Sequence, residues 1–160
     1  CRCGHLSSNV MPTAPYSLAA VVSNKALAAL LEASGQGTYR DEHPWLVAAD
    51  LVAAAAQRGE QVPILFAAGQ PATFSHWGFV LDLEVLALHR SSWQTACRFT
   101  RLTPVNPIFE AVDSVFLKPA DEQLERERRE NIPRHRYPLT EAELRPYAIC
   151  ETPPFVLREG

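Results

Sequence analysis

Residues 61–88, QVPILFAAGQPATFSHWGFVLDLEVLAL, hold two apolar runs separated by a short polar loop. In the second run Phe79, Leu81, Leu83 and Val85 are spaced two apart and Asp82 and Glu84 fall between them, the period of a strand with one face in the core. Pro63 has no N–H to give to a ladder, which places it at the start or edge of the first strand. Phe74, Ser75, His76 and Trp77 lie between the runs, at the rim of a barrel-type sheet. Gly78 beside them would let a ligand come close to the backbone.

Working outward, SLAAVV at 17–22 suits a short buried strand. Ser23 or Asn24 can cap a helix in which Leu27, Leu30 and Leu31 recur at three-and-four spacing, and Gly35 stands where such a helix ends. The polar segment GQGTYRDEHP follows, with Thr38 and Tyr39 in a brief strand. Pro44 suits the first turn of a second helix, with Asp41 and Glu42 near its positive end and Trp45, Ala49, Val52 and Ala56 along one face. Downstream, Cys97 and Phe99 alternate with Arg98 and Thr100 in another strand, and 111–117 gives a further one. Strands that follow one another without long helices between them favour antiparallel pairing. Residues 118–146 carry both charge signs, with Glu125–Arg129 and Arg126–Glu130 spaced for pairing on a solvated helix. Thr140 and Glu143 form a capping box before a short helix. The segment YAICETPPFV reads as a last strand broken by Pro153 and Pro154.

A chain of 160 residues, 47% apolar and 21% charged, fits one globular domain. Residues 1–16 read as an N-terminal extension and 17–160 as the domain; residues 1–10 precede Met11, the only methionine, from which the chain reads as a self-contained start. Lys25, Glu32, Asp50 and Arg58 interrupt the alanine-rich runs before they reach the roughly 18–20 residues that cross a bilayer. No basic region followed by an apolar block is visible at the start, so a cytoplasmic location and no membrane partner are expected. Net charge is −3, with thirteen arginines against Lys25 and Lys118, so bulk charge does not mark a strongly basic nucleic-acid binder. Cys97 and Cys150 read as buried thiols. Cys1, Cys3 and His5 form C-x-C-x-H without the fourth ligand and wider knuckle of a zinc site, so no metal is assigned.

The motifs of the large hydrolase, metalloprotease and phosphate-loop classes are absent. Ser75 and His76 are neighbours, and neighbours on a strand point to opposite faces, which makes a Ser–His pair awkward. His76 and Trp77 each have two readings: structural residues of a strand end, or a base partner and a stacking platform. Asp82 and Glu84 are either a carboxylate pair or the exposed face of a half-buried strand, within reach of Arg98 and Arg101.

This order of elements resembles the PUA-like superfamily, in particular its ASCH and EVE branches. SLAAVV, the Ala/Leu helix, GQGTYRDE, GEQVPILFAAG at 59–69 and HWGFVLDLEVL at 76–86 are similar to successive elements of those domains, over roughly residues 17–117. The resemblance implies a small β-barrel whose cleft binds RNA, modified bases or nucleotides, with some ASCH members hydrolysing modified nucleosides. In their G-x-K-T turn a lysine reacts; the matching residues here are Gly35, Gln36, Gly37 and Thr38, so Gly37 stands at the lysine position. The expectation is therefore an α+β fold, with an antiparallel, partly closed barrel flanked by helices. Its function would be a binding module for RNA, single-stranded nucleic acid or a modified nucleotide, needing no cofactor. Thr38, Tyr39 and Arg40 would meet Ser75, His76 and Trp77 at the barrel mouth, an aromatic face with edge hydrogen-bonders and a phosphate-binding arginine. The alternatives are a hydrolase of modified nucleosides in the same cleft and a protein-interaction domain docking through 118–146.

Overall fold

The computed structural model describes residues 11–32, 35–105 and 109–159. The C-x-C-x-H segment lies outside them. Along the chain run β1 (Tyr16–Val21), α1 (Asn24–Glu32), β2 (Gly37–Asp41), α2 (Leu46–Gln57), β3 (Pro63–Ala68), β4 (Thr73–Ala87) and β5 (Trp93–Phe99). There follow two-residue strands β6 (Thr103–Pro104) and β7 (Glu110–Ala111), then α3 (Asp121–Glu130), β8 (Ala148–Glu151) and α4 (Pro154–Glu159).

The class is α+β, as expected, but the sheet is mixed and open. Its hydrogen-bonded order is β2-β5-β4-β3-β1-β8, with β6 and β7 attached to β4, so β2 and β8 end the path and no barrel closes. The expectation of all-antiparallel pairing fails at its centre: β1 and β3 are parallel, from Leu18 opposite Ile64 to Val21 opposite Ala67. The segment between them, holding α1, β2 and α2, is long enough for the crossover that parallel neighbours require.

All six residues of β3 are buried, because both of its faces carry a core. On one face Leu18, Ala20, Ile64 and Phe66 meet Trp45, Ala48 and Ala55 together with Cys97 and Phe99. The sheet curls so that β2 and β5 lie over β3: the Phe66 ring is 5.3 Å from Phe99 and 5.5 Å from Tyr39. On the other face Ala19, Leu65, Phe74 and Trp77 meet Val112, Val115, Leu139, Leu144 and Phe155 from the C-terminal third. The buried stripe of α2 is Ala48 and Ala55, one position off the expected face through Ala49 and Ala56. Trp45, just before the helix, is fully buried and draws that stripe toward the sheet.

Two bulges in β4 set which side chains share a face. Phe66 pairs with His76 but Ala67 pairs with Phe74, leaving Ser75 as an extra residue. Val80 pairs with Phe99 but Asp82 pairs with Arg98, leaving Leu81 extra. Each extra residue reverses the alternation. The expected single face of Phe79, Leu81, Leu83 and Val85 is thereby split. Phe79 packs with Trp77 in the second core, Leu81 is exposed, and Leu83 and Val85 join Val80 in the first.

The C-terminal third departs further from the sequence reading. In place of a strand over 111–117, β7 gives way to a 3-10 turn at Val112–Ser114 and two isolated bridges, Phe116 to Pro138 and Leu117 to Cys150. Pro153 and Pro154 begin α4 instead of breaking a strand, since proline fits the first helical turn. Segment 118–146 does contain a helix, α3, but its ion pair is Arg128 with Glu125 and not the expected i,i+4 pairs. Glu143 accepts hydrogen bonds from Thr140 N and Oγ1 at 2.8 and 3.1 Å, opening a 3-10 turn at Glu141–Leu144. Among the described residues no helix is long and apolar enough to cross a membrane.

Candidate functional site

The turn after α1 and the head of β4 meet at a cleft of about 360 Å³, lined among others by Leu30, Gly37, His76, Phe99, Arg101 and Leu102. Chain geometry makes it. Gly35, between α1 and β2, adopts φ +83°, a left-handed conformation that glycine takes at little steric cost. Gly37 then passes so close to Phe99 that a Cβ on it would stand 2.9 Å from Phe99 Cε1. The missing side chain of Gly37 thus makes room for a core ring.

His76 enters the cleft from the first bulge. Because Ser75 is the extra residue, the two neighbours share a side of the strand, and His76 Nδ1 lies 3.0 Å from Ser75 Oγ. The objection that adjacent strand residues diverge therefore does not apply here. Ser75 is only 4% exposed and sits behind the ring, where it fixes the imidazole's orientation. Burial lowers the His76 pKa, so the ring is neutral at neutral pH and offers both a donor and an acceptor. Beside it, Phe109 is 53% exposed with its ring centroid 6.3 Å from the imidazole. Arg101, exposed at the cleft, makes no ion pair among the described residues.

The six residues expected at one mouth are not all together. His76 lines this cleft and Ser75 backs it. Trp77 points the other way into the second core, edge-on to Phe79 at 5.1 Å, with its indole N–H buried and without a partner among the described residues, so its face is not open for stacking. Thr38 and Arg40 lie on the outer face of β2, in a shallow depression with Asp82, Glu84 and Arg98. There Arg98 Nε donates to Asp82 Oδ2 at 2.9 Å, so the carboxylate that invited an acid–base reading is neutralised across the strands. Tyr39 faces inward and opens onto a different cleft with Asp41, His43 and Arg145. The backbone approach expected at Gly78 is made by the protein itself: a Cβ there would meet Thr100 O at 3.0 Å.

Sequence reasoning missed Arg101 as a residue lining the cleft and Phe109 as the neighbour of its imidazole. Neither carries a motif, and Arg101 gains its place only because β5 runs on past Phe99 to pair with β4 again as β6. Among the described residues no three metal-ligating side chains cluster. Cys97 and Cys150 are buried thiols, as expected; burial pushes Cys97 up to about 12 and raises Cys150 further. No family model matches the chain, and neither does any curated protein or solved structure.

Proposed function

We propose that this chain is a binding module for single-stranded nucleic acid, RNA above all, or for a modified nucleotide, and that it takes one base into the His76 cleft. The observation that carries the reading is a cleft lined by a neutral imidazole and by an arginine that makes no ion pair among the described residues, with the half-exposed Phe109 ring beside the imidazole. An imidazole suits the hydrogen-bonding edge of a base, a phenyl ring its face, and a guanidinium the adjoining phosphate. A PUA-like architecture belongs to the same proposal. It is supported by the sequence of β1, α1, glycine turn and β3–β4 hairpin and by the curl of the sheet over Phe66, although the sheet path stays open. In this reading the chain acts within the cytoplasm.

Hydrolysis of modified nucleosides in this cleft is the weaker reading, because Gly37 supplies no amine and Ser75 is shielded by the His76 ring. Docking of a protein through 118–146 is weaker too. Leu139 and Leu144 of that segment are core residues, and Arg136 lies over the Phe116 ring at 4.0 Å, so much of the segment is already engaged.

Fluorescence anisotropy with labelled RNA, single-stranded DNA and a set of modified nucleosides tests the proposal. Phe109→Ala is expected to weaken binding by roughly 1–3 kcal/mol, and Arg101→Ala to weaken it and reduce the salt slope by about one. Saturable binding that is indifferent to His76→Ala, Arg101→Ala and Phe109→Ala alike, or no binding at all, would end it.

A further inference from the structure

On the far side of Tyr39 lies a second cleft of about 340 Å³, and Tyr39, Asp41, His43 and Arg145 all line it. Its centre is a carboxylate–imidazole pair: His43 Nδ1 is 3.0 Å from Asp41 Oδ2. The pair is held from several directions. Asp41 Oδ2 also accepts the Trp45 indole N–H at 2.8 Å and the His43 backbone N–H at 3.2 Å. Thr95, buried on the neighbouring β5, donates its hydroxyl to His43 O at 2.6 Å and accepts from Trp45 N at 3.1 Å. Trp45 is fully buried and stacked on Tyr147 at 4.5 Å, so the anchor of the turn is part of the core.

This amount of support has a chemical consequence. A carboxylate facing Nδ1 keeps the imidazole proton on that nitrogen, which leaves Nε2 with a free lone pair. His43 is mostly exposed, so Nε2 has access to water. The charged and titratable groups that line the cleft with it are Asp41 and Tyr39 on β2 and Arg145 on the turn before β8. Arg145 Nη2 is 3.4 Å from Glu141 Oε2, an exposed pair that is its one side-chain contact of this kind among the described residues. Burial and Asp41 raise the Tyr39 pKa while Arg145 lowers it, so the hydroxyl is a protonated donor at neutral pH with the arginine close enough to be felt.

We propose that this cleft is a catalytic site for hydrolysis of small carboxylic esters, with His43 as general base and acid and Asp41 as its positioning residue. Nε2 takes a proton from water as the water oxygen bonds to the acyl carbon, and the carbonyl π pair moves onto oxygen facing Arg145 and the Tyr39 hydroxyl. The C=O bond re-forms, the bond from acyl carbon to alkoxy oxygen breaks, and Nε2–H returns its proton to the departing alkoxide. Ester and water become acid and alcohol, with no other reactant. The site uses none of the residues of the His76 cleft, so it stands or falls separately from nucleic-acid binding.

The full chain, assayed with p-nitrophenyl acetate and butyrate, tests the assignment. Expected is saturable release of nitrophenol. His43→Ala should lose about 10²–10⁴-fold in kcat/KM, the range of general-base contributions. Asp41→Asn should lower kcat with little change in KM, because the imidazole loses the carboxylate that holds its tautomer and orientation. A purely structural Asp41 would not split kcat from KM in this way. His89→Ala, which removes another exposed imidazole, should leave the rate unchanged. His43 is exposed, so its variant should melt like the parent. A rate linear in ester concentration, or equal in the parent and the folded His43→Ala variant, overturns the proposal.

Discussion

Replacing Gly37 with alanine probes whether the His76 cleft is shaped by the close passage of β2 over Phe99. The new Cβ would stand 2.9 and 3.0 Å from Phe99 Cε1 and Cζ, and the ring cannot simply swing away. Phe99 is 1% exposed and lies against Phe66 at 5.3 Å, so relief requires a shift of β2 or of two core rings. Overpacking of this kind costs about 1–3 kcal/mol. Gly37, unlike Gly35, Gly59 and Gly69, has no left-handed φ, so alanine also brings the usual gain of about 0.4–1 kcal/mol from restricting the unfolded chain. The net expectation is a loss of about 1–2 kcal/mol, which for a domain of this size is a drop in Tm of roughly 2–8 °C by thermal denaturation. The ring should be the whole cause. In the Phe99→Leu background the same glycine change should be nearly neutral or slightly stabilising, a coupling of about 1–2 kcal/mol in the double-mutant cycle. A parent-like Tm for Gly37→Ala alone, or a penalty that persists in full once the Phe99 ring has been replaced by the smaller leucine side chain, refutes the reasoning.

Two further outcomes follow from buried chemistry. Thr95→Val keeps the side-chain shape but strands His43 O and Trp45 N, and should cost about 1–3 kcal/mol for each group left without a partner, read by urea denaturation. In a variant with Cys1→Ser and Cys3→Ser, the remaining Cys97 and Cys150 should resist Ellman's reagent at pH 8 until denaturant is added. A thiol pushed up to about 12 holds almost no thiolate there, since deprotonation requires pH to climb toward the raised pKa. Rapid labelling of the folded protein would contradict the buried placement.

What the chain's own residues determined is mostly local. The period-two alternation of 79–85, the cap at Ser23, whose Oγ accepts the Ala26 N–H at 3.0 Å, and the glycine after α1 are statements about near neighbours. They delivered β4, α1 and the turn that borders the His76 cleft, and the α+β class with them. Tertiary structure decided everything that depended on parity and partnership. A strand's alternation says that two sets of residues oppose each other, but one extra residue exchanges the sets. The bulges at Ser75 and Leu81 come from register against β3 and β5, which the sequence of β4 alone does not encode. They turn His76 into the cleft beside Ser75 and send Trp77 into the opposite core. Thr38 and Arg40 were likewise separated from Tyr39 by ordinary alternation once β2 acquired a buried inner face. Arg101, Phe109 and Arg145 gained their positions from segments distant in sequence. The parallel pairing of β1 with β3 had no local mark at all, because it is fixed by where the crossover of α1, β2 and α2 lays down the next buried strand.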